Sequence, residues 1–180
     1  MHILRAGRCV AAGGLIAYPT EAVYGLGCDP WNETAVLRLL RLKRRKLDKG
    51  LIVVAADPAQ IADLADFSGL HNRAEILASW PGPVTWLLPA YAHTPVWLTG
   101  GHTTLAVRIP DHELVQRLCS SCGPLVSTSA NPAAAAPART PQRVRAYFGC
   151  QLDCILPGKT DENRRPSPIR DALSGELVRA

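Results

Sequence analysis

Five short stretches of this 180-residue chain carry the residue types that could do chemistry, and what they offer is hydroxyls, amides and fixed cations. They are the loop Pro19 to Gly27; the segment Lys43 to Lys49; Pro81 to Thr85; Arg108; and the run Ser127-Thr-Ser-Ala-Asn131. A covalent catalyst is not among them. Ser129 is followed by Ala130-Asn131 and lacks the spaced glycines of a nucleophile elbow. The five histidines show no metal-ligand spacing, so no protein metal site is expected. Gly25-Leu26-Gly27 lacks the third glycine and the helix start of a dinucleotide fingerprint, and there is no Walker loop. A reaction that needs no protein nucleophile, such as nucleotidyl transfer, is catalysed by positioning and charge neutralisation, and this inventory suits it.

Charge is concentrated in one of these stretches. Seven of the twenty Lys and Arg residues (Arg38, Arg41, Lys43, Arg44, Arg45, Lys46 and Lys49) fall within twelve positions, offset there by Asp48 alone. The other thirteen bases face fourteen acids, so the whole net charge of +5 sits at one place. A local positive field of that kind suits polyanions, with phosphate the obvious guest; the plain alternative is a solvated helix face.

The elements that must position these groups read as an α/β protein, because apolar runs alternate with helical patterns from end to end. Ile3 to Ala12 reads as a short helix stopped by Gly13-Gly14, and Leu15 to Tyr18 as a strand ended by Pro19. An Asn32 cap opens an amphipathic helix toward Lys46, with Ala35, Val36, Leu39, Leu40 and Leu42 at helical spacing. Leu51 to Ala56 is a continuous apolar run, as expected of a strand covered on both faces. Thr85 to Leu88, Thr104 to Ile109 and Leu125 to Ser127 read as further strands, and Asp111 as the cap of a helix running toward Cys119. Ala133 to Pro141 reads as a loop or flap, Thr140 or Pro141 as the start of a last helix to Phe148, and Pro157 to Pro168 as a polar surface loop before a final strand near Ile169 and Leu177. Open α/β sheets gather ligands where strands end, and the polar loops lie there.

With 47% hydrophobic residues, the length suits one domain with a full core. No run of eighteen apolar residues occurs and the N-terminal stretch lacks a long apolar h-region, so neither a membrane span nor a signal peptide is expected, and the expected location is the cytoplasm with thiols reduced. Cys119 with Cys122, and Cys150 with Cys154, have a loose four-thiolate spacing, but their apolar surroundings favour packing over zinc.

Taken together, Tyr18-Pro-Thr-Glu-Ala-Val-Tyr-Gly-Leu-Gly27, Lys43-Arg-Arg45, Lys49-Gly-Leu-Ile52, Trp80-Pro-Gly-Pro-Val-Thr85, Leu105-Ala-Val-Arg108 and Ser127-Thr-Ser-Ala-Asn131 resemble the YrdC/TsaC family of threonylcarbamoyl-AMP synthases. The resemblance runs from Leu15 to Leu177 and is to the short single-domain form. It implies a twisted mixed sheet flanked by helices around a concave basic cleft, and an activity that makes threonylcarbamoyl-AMP and pyrophosphate from L-threonine, bicarbonate and ATP for tRNA modification. By matching motif, Lys43, Arg45 and Lys49 would meet the phosphates, with Mg²⁺ arriving bound to ATP. Thr20 would line the substrate pocket, Arg108 would pair the threonine carboxylate, Ser127, Ser129 and Asn131 would bond carbamate and phosphate oxygens, and Thr104 and Ser167 would lie near the nucleotide. Implied partners are tRNA and the transferase complex that receives the intermediate. Ala22 and Lys46 depart from common family residues, Val54 stands where longer relatives can have His, and Ala133 to Ala136 replace a frequent Ser-Gly pair. The alternative from another class is a non-catalytic module gripping the backbone of structured RNA. A third is a related carbamoyl-transfer role, which in larger proteins comes with extra domains.

Overall fold

The computed structural model describes residues 2–160 and 167–179. The chain runs through α1 (His2–Ala11), β1 (Ile16–Pro19), β2 (Tyr24–Gly27), α2 (Glu33–Lys43), β3 (Ile52–Val54), α3 (Arg73–Ala78), β4 (Thr85–Pro89), α4 (Val96–Thr99) and β5 (Thr104–Arg108). It continues through α5 (Glu113–Cys122), β6 (Leu125–Ser129), α6 (Pro141–Phe148), β7 (Cys154–Ile155), β8 (Ile169–Asp171) and β9 (Leu177–Arg179). Among the described residues the strands form one mixed sheet in the order β7-β1-β2-β6-β3-β5-β4-β8-β9. That order sets β6, late in the chain, antiparallel between β2 and β3, while β3 and β5 run parallel.

Side-chain alternation along the strands divides the molecule into two cores. On one face, α1 packs on α5 over Ile16, Tyr18, Val54 and Leu125. On the other, Leu39 of α2, Ile76 of α3, Leu98 of α4 and Phe148 of α6 cover Leu26, Val53, Trp86, Val107 and Val126. Neighbours in sequence therefore serve opposite cores: Val53 and Val54 in β3, Leu125 and Val126 in β6. Each such side chain contributes about 1.5–3 kcal/mol by leaving water.

Helix ends follow local chemistry. Asn32 caps α2 by accepting from the Ala35 N–H at 3.0 Å, and Thr140 caps α6 by accepting from the Arg143 N–H at 3.2 Å with Pro141 in the first turn. The helix expected to reach Lys46 stops at Lys43, because Arg44 adopts a left-handed conformation (φ 53°) that lets the Arg45 N–H bond the Leu40 carbonyl at 2.9 Å. The expected Asp111 cap is also corrected: His112 holds that position, with no side-chain cap bond.

The loop expected over Pro19 to Gly27 contains β2, whose glycines hid it. A Cβ on Gly27 would lie 2.6 Å from the Val126 carbonyl and 2.9 Å from the Tyr18 ring, so this strand has no side chain where Tyr18 and β6 lie against it. The end of the chain holds two antiparallel strands, β8 and β9, where one was expected. Residues 161–166 of the expected polar surface loop lie outside the described residues.

Candidate active site

The strand registers bring the polar loops together. Gly25 of β2 lies opposite Ser129 of β6, Ile52 of β3 opposite Ser127 of β6, and Val54 of β3 opposite Arg108 of β5. All of these point to the face that α1 and α5 only partly cover, because their neighbours Leu26, Val53, Val107 and Val126 are committed to the other core. With strands about 4.8 Å apart, the row from Gly25 to Arg108 spans roughly 14 Å. Above it opens a cavity of about 560 Å³, walled by Thr20 and Glu21 on one side, by Ala136, Pro137 and Arg139 on another, and by Arg45, Ser167 and Arg179. Pro83 also lines it. Pro83 is held there by the turn before β4, in which the Gly82 N–H bonds the Ile109 carbonyl at 2.8 Å.

Arg108 is held in this cleft from two sides. One of its nitrogens donates to Glu21 Oε2 at 3.0 Å, with the side chains 11% and 7% exposed, and another donates to the Ser167 hydroxyl. The Ser167 carbonyl in turn accepts from Arg179 at 3.1 Å. A guanidinium has five N–H donors, so Arg108 keeps several for a ligand while its plane is fixed. Glu21 keeps one carboxylate oxygen, Oε1, buried without a hydrogen-bond partner.

Arg45 reaches the cleft from the end of the basic segment. Its guanidinium donates to the Gly50 carbonyl at 3.0 Å and to the Lys49 carbonyl at 3.2 Å. Burial lowers its affinity for the proton, and the like charge of Arg179 lowers it further. Two arginines brought together gain from a polyanion that separates them.

Lys43 does something else. It is buried, and its ammonium donates to the Ser129 carbonyl, to the Asn131 carbonyl at 2.9 Å and to Asn131 Oδ1 at 3.3 Å. These acceptors lie at the last residue of β6 and in the loop that follows it, so Lys43 holds that loop from behind. Burial, with Arg45 adding to it, brings the Lys43 pKa down from 10.5 to about 8. Asn131 is equally spent on the loop: its amide donates to the carbonyls of Pro132 and Ala135 at 3.0 and 2.7 Å, and its Oδ1 accepts from the Ser129 hydroxyl at 2.6 Å.

Of the residues singled out from sequence, Thr20, Arg45, Arg108, Ser127, Ser129 and Ser167 line the cleft. Lys43 and Asn131 lie behind its wall. Lys49 is exposed, with its backbone turned to Arg45. Thr104 sits at the opposite end of β5, paired with Pro89 and about 13 Å along the strand from Arg108. Sequence reasoning passed over Glu21, Arg139 and Arg179 as cleft residues. For Lys43 a signal was available: it continues the buried stripe of α2, four residues after Leu39.

The remaining arginines of the basic segment face elsewhere. Arg38, Arg41 and Arg44 line a second cavity of about 510 Å³ with Pro132, Tyr147 and Gln151. Arg38 pairs there with Asp153 at 2.8 Å, while Arg41 and Arg44 are exposed. The cysteines do not assemble: Cys119 and Cys122 lie on α5 and Cys154 on β7, and among the described residues no three or more His, Cys, Asp or Glu side chains are grouped to hold a metal. No helix among the described residues is long and apolar enough to cross a membrane.

The family model for Sua5, YciO and YrdC proteins, described as telomere recombination, matches residues 8–180. The chain belongs to the Sua5/YciO/YrdC family. Among its relatives, the threonylcarbamoyl-AMP synthase of Pseudomonas aeruginosa UCBPP-PA14 is 53% identical over 174 residues, covering 97% of this chain and 94% of that protein. The threonylcarbamoyl-AMP synthase of Marinobacter nauticus is 49% identical over 181 residues, covering 99% and 95%. A solved structure of P. abyssi Sua5 complexed with L-threonine superposes with a TM-score of 0.86 at 35% identity, over 94% of this chain and 50% of that one, so the chain spans half the length of that relative. E. coli YciO, at 23% identity and a TM-score of 0.81, shares the fold over 99% of this chain and 90% of its own.

Proposed function

We propose that the cleft makes threonylcarbamoyl-AMP and pyrophosphate from L-threonine, bicarbonate and ATP. The observation that carries this is the 53% identity to a threonylcarbamoyl-AMP synthase across nearly the whole of both chains. The cleft supports it with two distinct ends on one floor. At the β5 end, Arg108 is fixed by Glu21 and Ser167 with donors to spare for the amino-acid carboxylate. At the other, Arg45 suits the triphosphate, with Arg139 on the flap side, while Arg179, bonded to the Ser167 carbonyl, adjoins both. The hydroxyls of Ser127 and Ser129 lie on the sheet floor, where a carbamate oxygen would be held for attack on the α-phosphate.

The reaction is then nucleotidyl transfer. The threonine amine adds to bicarbonate with loss of water, a carbamate oxygen attacks the α-phosphate, and pyrophosphate leaves toward the arginine end. Thr20, whose hydroxyl donates to the Val23 carbonyl at 2.7 Å, shapes the wall against the amino-acid side chain. Mg²⁺ in this reading enters with ATP and neutralises developing charge on its phosphates. Among the described cleft residues Glu21 is the one carboxylate, and Arg108 engages it, so phosphate oxygens and water are the fitting ligands for the ion. Lys43 acts through the loop it holds rather than on phosphate.

Contact with tRNA, and hand-over to a transferase complex in the cytoplasm, belong to the same reading. The surface best suited to a nucleic-acid backbone is the outer side of α2, where Arg38, Arg41 and Arg44 recur every three residues around the second cavity.

The test is pyrophosphate release with threonine, bicarbonate, ATP and Mg²⁺ each omitted in turn, beside an Arg45→Ala control. Release that needs every component and fails in the variant is the expected result. Release independent of threonine, or none from folded protein, would remove the synthase reading.

A further inference from the structure

A cleft lined by Arg45, Arg108, Arg139 and Arg179 poses a sorting problem for any enzyme that binds both a triphosphate and an amino acid. Phosphate groups carry more charge than a carboxylate and would compete for every guanidinium. The structure resolves this at one position. Glu21, the carboxylate on the cleft wall, sits on Arg108 and on none of the other three: its Oε2 accepts from Arg108 at 3.0 Å, both side chains are nearly buried, and Ser167 fixes the guanidinium from the other side. Arg45 makes its bonds to backbone carbonyls, so it keeps its positive charge for a phosphate.

We infer that Glu21 is the specificity-determining residue of this cleft: by pairing with Arg108 it makes that end a receptor for a zwitterionic amino acid and excludes phosphate from it. A phosphate approaching Arg108 meets the Glu21 charge at close range in a partly desolvated site, where repulsion is strong. An α-amino acid brings both signs. Its carboxylate takes the free donors of Arg108, and its nitrogen is drawn by the Glu21 charge beside them. The nitrogen keeps an N–H as ammonium, as amine and as carbamate, so the match survives the whole reaction, and no proton transfer to Glu21 is required. Selection against phosphate then comes from a repulsive group placed beside the attractive one.

This rests on the reading that Arg108 takes the threonine carboxylate, and two variants separate the two ideas. Binding of L-threonine, with and without inorganic phosphate, is measured by calorimetry for the wild type, Glu21→Gln and the neutral pair Glu21→Gln/Arg108→Gln. Gln keeps the hydrogen bond to Arg108 and removes the charge. The expected result is that phosphate leaves threonine affinity unchanged in the wild type, whereas Glu21→Gln binds threonine about tenfold more weakly and phosphate now competes with it. The neutral pair should bind threonine at least a hundredfold more weakly. Wild-type threonine affinity in the neutral pair would sink the Arg108 reading itself. Loss in the neutral pair, with Glu21→Gln showing wild-type affinity and no competition, would overturn the inference and leave the synthase reading standing. Should Glu21→Gln fail to fold, the wild type still decides: threonine affinity unaffected by inorganic phosphate supports the inference, and competition by phosphate overturns it.

Discussion

Two cavities of similar size, about 560 and 510 Å³, are each lined by arginines, yet they are built differently. The first lies on the ends of strands, and its cations are fixed: Arg108 by Glu21 and Ser167, Arg45 by the carbonyls of Lys49 and Gly50. The second lies along the outer side of α2. Arg41 and Arg44 are exposed there, and Arg38 shares its charge with Asp153 on the surface. Density of charge therefore does not mark the proposed reaction site in this molecule. Fixed direction does, because catalysis of phosphoryl chemistry depends on donors that need no rearrangement when charge develops, whereas loosely held surface cations steer and grip a backbone.

The comparison breaks most readily at Arg108. Replacing the buried pair by Glu21→Gln/Arg108→Gln removes a charged anchor whose like is worth about 3 kcal/mol, so the threonine KM for pyrophosphate release should rise at least a hundredfold. A rise of less than tenfold would show that the cleft does not rely on this fixed cation.

Lys43 tests whether holding a loop matters as much as touching a ligand. Lys43→Met removes charge-assisted bonds to Ser129 and Asn131 and should lower kcat by about 10- to 100-fold, the equivalent of roughly 1.5–3 kcal/mol, with the overall fold retained by circular dichroism. In the wild type a fall in activity is expected as pH rises through about 8, as the ammonium loses its proton, and Lys43→Met should lack that step. Stability moves the other way. Because the folded pKa, about 8, lies below the unfolded 10.5, the unfolded chain binds more protons between these values, so the Lys43 contribution to stability rises with pH across that window. A parallel fall of activity and stability would contradict this account.

On the outer face, Arg41→Ala/Arg44→Ala should change pyrophosphate release by less than about twofold and reduce the salt slope of tRNA binding by about 2. An equal loss in both assays would merge the two cavities into one site. The smallest effect is conformational. Arg44 carries a positive φ in a non-glycine residue, so Arg44→Gly should raise stability by about 1 kcal/mol, read as a Tm increase of a few degrees. An unchanged or lowered Tm would mean that the Arg44 side chain contributes as much as its strain costs.

Much of the fold was legible. The cap at Asn32, the break at Gly13-Gly14, the doubly covered run around Val53 and the start of α6 at Thr140 are local events whose causes lie within a few residues. β2 was missed because Gly25 and Gly27 carry no strand signal of their own, and only the Tyr18 ring and the Val126 carbonyl explain them. The motif residues Thr20, Arg108, Ser127 and Ser129, and Ser167 as well, line one cleft, while Glu21 stood inside a quoted motif without a role.

What the sequence determined by itself is the list of chemical groups, their attachment to strand ends, and the family to which the chain belongs, because residue type, periodicity and turn chemistry are written locally. What the tertiary structure decided is direction. The seven cations of one twelve-residue segment look alike in sequence, but the register of α2 turns Lys43 inward beneath the Ser129 loop, the left-handed turn at Arg44 sends Arg45 into the cleft, and Arg38, Arg41 and Arg44 are left to the second cavity. The strand order decided the rest. By inserting β6 between β2 and β3 it brought serines from late in the chain between Gly25 and Arg108, a juxtaposition of residues about a hundred positions apart that no local pattern encodes.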